Sequence, residues 1–290
     1  MKNVLIIGAS GLVGSYLYRL ISPECNTVGT FQNYPLDDSV YLDITSIDAV
    51  RKIIDETQPD FVFLPAALTN VDFCEENKEA CFKINIEAVK NIALILKDKK
   101  AKLIYFSTDF IFNGQNGPYG EEDLPAPLGV YGQSKLEAEK AVRENLVDYL
   151  IIRTTCIYGW EPQEKNFVVN LIKKNRVGSL VEVASDQITT PTYAGSLAAL
   201  SWKLAKAGKE GIYNITGSTV ISRLDFAFLV AKVFSLNRDL IVGVTTEQLK
   251  RRARRPLNGG LKIAKVEKEF GIGISGAEQG LLEMKKEKHG

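Results

Sequence analysis

Short apolar runs alternate with longer amphipathic segments through the first half of the chain. The runs at residues 4–7, 27–31, 40–42, 61–64, 103–106 and 149–152 have the composition of buried strands. Helical periodicity is found between them, at residues 12–20, 47–57, 81–97 and 135–145. This alternation predicts the α/β class and a Rossmann-type, doubly wound parallel sheet. The carboxyl ends of its strands should meet at one edge, where such sheets bind ligands.

The alternation weakens after about residue 159, where helical segments at 166–174, 223–234 and 263–270 lack comparable strands between them. A smaller C-terminal substrate lobe is therefore expected over residues 159–290, beside a Rossmann domain over residues 1–158. A helix at 197–207 followed by a strand at 211–215 suggests that residues 190–215 return to the sheet. Residues 113–132, rich in glycine and proline, should form a long loop.

Composition and charge argue against several classes of protein. The 290 residues are 45% hydrophobic and 24% charged with a net charge of +1, which argues against disorder and against general attraction to nucleic acid. No apolar run is long enough to cross a bilayer, so we expect a cytoplasmic protein that is not attached to a membrane.

The spacing of the cysteines and the position of the single histidine argue against a metal centre. Four dispersed cysteines without a C-x-x-C pair fit free thiols in a reducing compartment, and Cys74 and Cys81 are spaced to share a helix face. The only histidine, His289, lies in a charged tail. We therefore expect neither a zinc site nor a histidine-based triad.

A G-x-x-G-x-x-G turn directly follows the first strand and opens a helix. Glycines there permit a tight turn and let backbone N–H groups approach a pyrophosphate at the positive end of the helix. This context predicts a dinucleotide site and makes residues 1–158 an NAD(P)-binding domain. The expected contacts from this turn are Gly8, Ser10, Gly11, Leu12, Val13 and Gly14.

The residues at the end of the second strand help to predict whether the site prefers NADH or NADPH. An acid usually holds the ribose 2′-hydroxyl of NAD there, but this chain has Gln32 and Asn33. We therefore expect a preference for NADPH, with NADH as the alternative, although no arginine follows to clamp a 2′-phosphate. Asp43 and Ile44, after the third strand, are candidates to cradle the adenine; Asp43 is equally suited to cap the following helix.

Tyr131 and Lys135 form a Y-x-x-x-K, which places them one turn apart on a helix face. A nearby ammonium group is expected to lower the pKa of the phenol, so that the phenol serves as an acid near neutral pH. Upstream, Ser107, Thr108 and Asp109 follow a buried-strand run and should lie at the carboxyl edge of the sheet. A substrate carbonyl could be held there.

Together these motifs resemble the extended short-chain dehydrogenases, and more narrowly the dTDP-4-dehydrorhamnose reductase family. The resemblance covers almost the whole chain and includes residues 66–72, 107–114, 130–137, 186–187, 191–192 and 255–258. It implies hydride transfer from NADPH to the C4 ketone of a nucleotide-activated 4-keto-6-deoxy sugar, as in dTDP-rhamnose biosynthesis.

The resemblance also implies the roles of individual residues. Thr108, Tyr131 and Lys135 would form the catalytic set, with Tyr131 as the general acid and Lys135 bonded to the nicotinamide ribose. Residues expected along the cofactor are Ala66, Ala67, Thr69, Tyr131 and Lys135. Those expected in the sugar-nucleotide pocket are Val71, Asp72, Asp109, Phe110, Cys156, Gln187, Arg255 and Asn258. Phe110 and Cys156 stand where the family usually has tyrosine and tryptophan, which makes a different sugar credible.

Two alternative functions follow from other segments. Residues 118–128 also resemble the regulatory β subunit of methionine adenosyltransferase, an NADP-binding relative that acts through another protein. Retention of Thr108 and Asp109 beside Tyr131 and Lys135 favours the enzyme. The basic run at 250–255 could suggest nucleic acid, but we interpret it as a solvated segment from which Arg255 reaches a substrate diphosphate. A homodimer fits family habit, although no sequence feature specifies its interface.

Overall fold

A parallel β-sheet forms the centre of the computed structural model, which describes residues 1–271 and 274–287. His289 and the last residues of the predicted second lobe lie outside the described residues. The strands β1 to β13, in chain order, are Asn3–Ile6, Asn26–Phe31, Val40–Tyr41, Phe61–Leu64, Lys102–Thr108, Tyr149–Thr154, Ile157–Tyr158, Val181–Ala184, Ile188–Thr189, Thr192–Tyr193, Gly211–Asn214, Ile221–Ser222 and Ile241–Val244.

Helices connect most of these strands. The α-helices α1 to α11 are Leu12–Ile21, Ile47–Thr57, Val71–Glu76, Lys78–Phe82, Ala88–Leu96, Val130–Asn145, Phe167–Arg176, Ala194–Lys206, Arg223–Phe234, Ala264–Phe270 and Ala277–Glu287. A π-helical turn, Lys83–Glu87, separates α4 from α5, and a 3-10 turn, Asp109–Ile111, follows β5.

Seven strands form the central sheet in the order β11-β6-β5-β4-β1-β2-β3, and every neighbouring pair is parallel. Helices cover both faces: α2, α5 and α6 bury side chains on one face, while α1 and α8 pack together on the other. The predicted doubly wound α/β fold is confirmed. β11 pairs with β6, so the chain re-enters the sheet after α8.

The segments after β6 that do not join the sheet form short strand pairs and helices. β8 pairs with β13, β7 with β10 and β9 with β12. Helices α9 and α11 pack on each other and share one apolar cluster with α1 and α8. This arrangement carries the C-terminal segments back over the carboxyl edge of the sheet.

Two predicted helices have different limits in the structure. Helix α6, which carries Tyr131 and Lys135, begins at Val130 rather than at residue 135, because the Val130 N–H donates to the Glu75 carboxylate on α3 (3.0 Å). The helix predicted at 81–97 is divided into α4, the π-helical turn and α5. Cys74 lies on α3 and Cys81 on α4, so the expectation that they share a helix face is wrong.

The turn between β1 and α1 requires glycine at two positions. Gly8 has a φ of +96°, a conformation that other residues rarely adopt. A Cβ atom on Gly14 would lie 2.1 Å from the Gly8 carbonyl oxygen, far inside van der Waals contact. A Cβ atom on Gly11 would lie 3.5 Å from that oxygen, an ordinary contact. Close packing of α1 against β1 therefore depends on Gly8 and Gly14.

We predict that Gly14→Ala destabilises the protein by about 3 kcal/mol, since the added methyl forces the helix away from the strand. Urea unfolding followed by circular dichroism measures this change. Gly11→Ala is the matched control in the same turn and should stay within about 1 kcal/mol of the wild type. Equal unfolding midpoints for Gly14→Ala and the wild type would contradict a rigid turn.

Candidate active site

A cavity of about 640 Å³ lies at the carboxyl edge of the central sheet. Seventeen of the residues singled out from the sequence line it: Gly8, Ser10, Gly11, Leu12, Val13, Gly14, Ile44, Ala66, Ala67, Thr69, Val71, Thr108, Asp109, Phe110, Tyr131, Lys135 and Cys156. Parallel topology explains this convergence, because β1, β4, β5 and β6 all end at the same edge.

The glycine end of the cavity fits an anionic group. Gly11 is the N-cap of α1 and supplies no side-chain cap to the first turn, which also contains no acidic residue. The N–H groups at such a helix start need a partner, and the helix dipole favours a negative one. The chain thus presents an uncapped helix N-terminus to the cavity, as a dinucleotide pyrophosphate requires.

Thr108 and Tyr131 meet at the other end of the cavity. Both residues line the cavity, and hydrogen bonding by the Thr108 side chain acts to lower the pKa of the Tyr131 phenol. Thr108 Oγ1 also donates to Asp109 Oδ1 (3.2 Å) and accepts from the Phe110 backbone N–H (3.2 Å), which fixes the hydroxyl. The Phe110 ring packs edge-on against Tyr131, with centroids 5.6 Å apart.

The pKa of Tyr131 differs from the expectation drawn from the sequence. Burial raises the pKa of this phenol above its ordinary value, although the Thr108 hydrogen bond opposes the rise. Lys135 does not stabilise the phenolate here; its Nζ lies over the Tyr105 ring, 4.1 Å from the centroid. Tyr131 is therefore held as the neutral, proton-bearing phenol.

Lys135 is one of the most deeply buried charged side chains of the site, with 3% of its surface exposed. Burial lowers the pKa of its amine to about 7, against the opposing charges of Glu139 and Cys81. Glu139, one turn further along α6, is itself occupied by a buried ion pair with Arg153 (2.7 Å). Lys135 can therefore gain or lose a proton near neutral pH.

Asp109 is a buried carboxyl group behind Thr108. Burial raises its pKa to about 6, while hydrogen bonds from Thr155 and Thr108 and the charge of Arg223 act in the opposite direction. Asp109 therefore stabilises the orientation of the Thr108 hydroxyl, although burial of its ionised carboxyl group is unfavourable. Arg223, at the start of α9, is a neighbour that the sequence did not single out.

Five residues singled out from the sequence do not line this cavity. Arg255 forms a two-point ion pair with Asp72 (both contacts 2.8 Å). Gln187 donates to Thr246 Oγ1 (2.9 Å). Asn258 donates to the Gly117 carbonyl (2.7 Å), and its own buried Oδ1 has no partner among the described residues.

Asp43 is the fifth. It accepts from the N–H and hydroxyl of Thr45 (2.9 and 2.8 Å), and so forms the turn that leads into α2. Ile44, the next residue, lines the cavity beside the glycine turn.

Further polar residues in or beside the cavity were not predicted. Glu161, Gln163, Lys165 and Asn166 line it from the segment between β7 and α7. Asn85, in the π-helical turn, forms hydrogen bonds with both backbone polar groups of Leu68 and donates to Ser134 Oγ, which ties the Ala66–Thr69 segment to α6. No spacing or periodicity marks these residues in the sequence.

Within residues 1–271 and 274–287, no group of three or more His, Cys, Asp or Glu side chains is placed to hold a metal ion. All four cysteines are free thiols. No helix in the described part of the chain has the length and apolarity needed to span a bilayer.

Similar proteins share this architecture along almost the whole chain. A dTDP-4-dehydrorhamnose reductase from Bacillus anthracis, solved in complex with NADP, superposes with a TM-score of 0.91 at 30% identity, covering 99% of this chain and 100% of that one. The Escherichia coli dTDP-4-dehydrorhamnose reductase is 30% identical over 97% of this chain and 96% of its own length.

Other relatives have different names. A probable low-salt glycan biosynthesis reductase of Haloferax volcanii is 32% identical over 92% of this chain and 91% of its own length. The mouse methionine adenosyltransferase 2 subunit beta is 30% identical over 94% of this chain and 83% of its own length. The family model described as the RmlD substrate binding domain matches residues 1–289, and the chain therefore belongs to that family.

Proposed function

We propose that this protein is an NAD(P)H-dependent oxidoreductase, preferring NADPH, that reduces the C4 ketone of a nucleotide-activated 4-keto-6-deoxy sugar. The observation that carries the proposal is that Thr108, Tyr131 and Lys135 line the same cavity as the uncapped glycine turn. Reductase relatives at 30 to 32% identity and the NADP complex of a close structural neighbour support it.

Different residues of the cavity would have different roles in such a reduction. The glycine turn, with Ala66, Ala67 and Thr69, would hold the dinucleotide, which supplies a hydride to the carbonyl carbon. Thr108 orients the carbonyl oxygen and Tyr131 donates a proton to it as the alkoxide forms. Burial raises the pKa of this phenol, so Tyr131 carries its proton before the reaction begins and yields it only as the more basic alkoxide forms. Lys135, whose pKa burial lowers to about 7, would be the source of the proton that replaces it.

We propose that the remaining predicted residues, Val71, Asp72, Asp109, Phe110, Cys156, Gln187, Arg255 and Asn258, line or support the substrate pocket. Phe110 and Cys156 both line the cavity next to Tyr131 and Asp109. A phenyl ring and a thiol bring neither the hydroxyl nor the indole N–H that tyrosine and tryptophan offer at these positions. This difference favours a sugar with a hydrogen-bonding pattern unlike that of dTDP-4-dehydrorhamnose.

The domain division and setting are also proposals. Residues 1–158 would form the cofactor domain and residues 159–290 the substrate lobe, with 190–215 returning to the sheet, as the β11–β6 pairing supports. We propose a cytoplasmic homodimer that does not bind nucleic acid. The basic run at 250–255 supports the last point, because Arg252 and Arg255 are paired with Glu76 and Asp72 of α3.

A regulatory function is the second candidate. Methionine adenosyltransferase β subunits are 28 to 30% identical to this chain over most of its length. Such a protein would bind NADPH tightly and show no turnover with any 4-keto sugar nucleotide. The two functions are distinguished by measuring NADPH oxidation, as the loss of absorbance of the reduced nicotinamide, with a panel of these sugar nucleotides.

We predict that Tyr131→Phe lowers the turnover number about a hundredfold or more, because the positioned proton donor is lost. NADPH affinity should stay within about twofold, since the ring is retained. The matched control is Tyr149→Phe, which changes a tyrosine at the start of β6 that does not line the cavity. This variant should keep wild-type activity. The proposal fails if Tyr131→Phe turns over the 4-keto sugar at the wild-type rate.

We predict that Asp109 makes the protein less stable as the pH rises. Its folded pKa of about 6 exceeds the ordinary value near 4, so its stabilising contribution is complete below about pH 4 and is lost as the pH rises through 6. The loss is on the order of 3 kcal/mol. Urea unfolding between pH 4 and pH 7.5 measures it.

Asp109→Asn should remove this pH dependence and leave a flatter stability profile. Asp72→Asn is the control: the Arg255 ion pair lowers the pKa of Asp72, so this variant should retain the fall in stability due to Asp109. Parallel profiles for Asp109→Asn and the wild type would show that Asp109 titrates normally.

A further inference from the structure

One wall of the cavity is built by the segment between β7 and α7. Glu161, Gln163, Lys165 and Asn166 of this segment, residues 161–166, line the same cavity as the residues that follow β2. The Lys165 ammonium lies over the Tyr34 ring, 5.2 Å from its centroid. Tyr34 directly follows Gln32 and Asn33, so the segment reaches the adenosine end of the predicted cofactor site.

The 161–166 segment is held in place by its own polar groups. Gln163 Nε2 donates to the Ser10 carbonyl in the glycine turn (2.8 Å). Glu161 Oε1 accepts from the backbone N–H groups of Lys165 (2.9 Å) and Asn166 (2.6 Å). The Glu161 carboxylate is thus engaged within the segment, and Glu164 is paired with Lys173 (2.6 Å).

The distribution of charge in the cavity distinguishes Lys165. Among the described residues that line the cavity, only Lys135 and Lys165 are basic. Lys135 is buried on α6 over Tyr105, at the catalytic end. At the end of β2, Gln32 and Asn33 provide neutral amides that donate hydrogen bonds but carry no charge. Of these two basic residues, Lys165 is therefore the one at the β2 end of the cavity, over Tyr34.

We propose that Lys165 binds the 2′-phosphate of NADPH and thereby sets the preference for NADPH over NADH. In dinucleotide-binding folds, the residues after the second strand meet the 2′ position of the adenosine ribose. A lysine ammonium is a compact charge that binds phosphate well. The missing arginine after β2 is thus replaced by a lysine from a segment more than 130 residues later in the chain. This inference rests on the proposed function.

The test compares binding of NADPH, NADH and 2′,5′-ADP by isothermal titration calorimetry. Lys165→Ala should weaken NADPH and 2′,5′-ADP about tenfold, through loss of a charge-assisted hydrogen bond, and change NADH less than twofold. Lys165→Arg should retain the NADPH preference. Lys174→Ala, which removes an equal charge from α7 outside the cavity, should leave the affinities for all three ligands unchanged.

The possible outcomes separate this inference from the proposed function. An equal loss of NADPH and NADH affinity in Lys165→Ala would assign Lys165 to the shared diphosphate and overturn the inference. Unchanged NADPH affinity in Lys165→Ala would also overturn it, while wild-type turnover with NADPH would leave the reductase proposal standing. A wild-type protein that binds neither dinucleotide would overturn both.

Discussion

The buried ion pair between Arg153 and Glu139 is the interaction on which the geometry of the site depends. Both side chains are almost fully buried, and Arg153 also donates to the Glu121 carbonyl (2.9 Å). Burying two charges is unfavourable unless each is fully hydrogen-bonded, so the pair permits one arrangement of α6 on β6. It also engages the nearest carboxylate to Lys135. Burial then dominates the pKa of that amine, and Lys135 titrates near neutral pH.

Helix α3 extends this constraint from α6 to the C-terminal segments. Its Glu75 carboxylate accepts from the first N–H group of α6, and its Asp72 and Glu76 pair with Arg255 and Arg252. The 250–255 segment is therefore attached to the start of the helix that carries Tyr131. A shift of that segment would be transmitted to α6 through three carboxylates on one short helix.

The fold was predictable because its signals are local and repeated. Buried strands give apolar runs and their crossover helices give amphipathic ones, and the order of the two specifies a parallel sheet. The start of α6 was not predictable, because Gly129 and Gly132 resemble a loop and the first turn depends on Glu75, 55 residues earlier. The π-helical turn at Lys83–Glu87 similarly depends on Asn85 contacts with Leu68 and Ser134. Such contacts leave no periodic pattern.

The candidate site likewise contains residues that could be predicted from the sequence and residues that could not. Residues at or just after the carboxyl ends of strands, such as Thr108 and Gly8, could be placed from the sequence because parallel topology brings strand ends to one edge. Lys165 and Arg223 lie in segments that follow β6 and reach this edge through tertiary packing, so no local pattern in the sequence sets their positions relative to β2 and β5. The pKa of Tyr131 is likewise a property of packing. A Y-x-x-x-K spacing specifies which residues are neighbours on a helix, whereas burial and the orientation of Lys135 toward Tyr105 determine that the phenol keeps its proton.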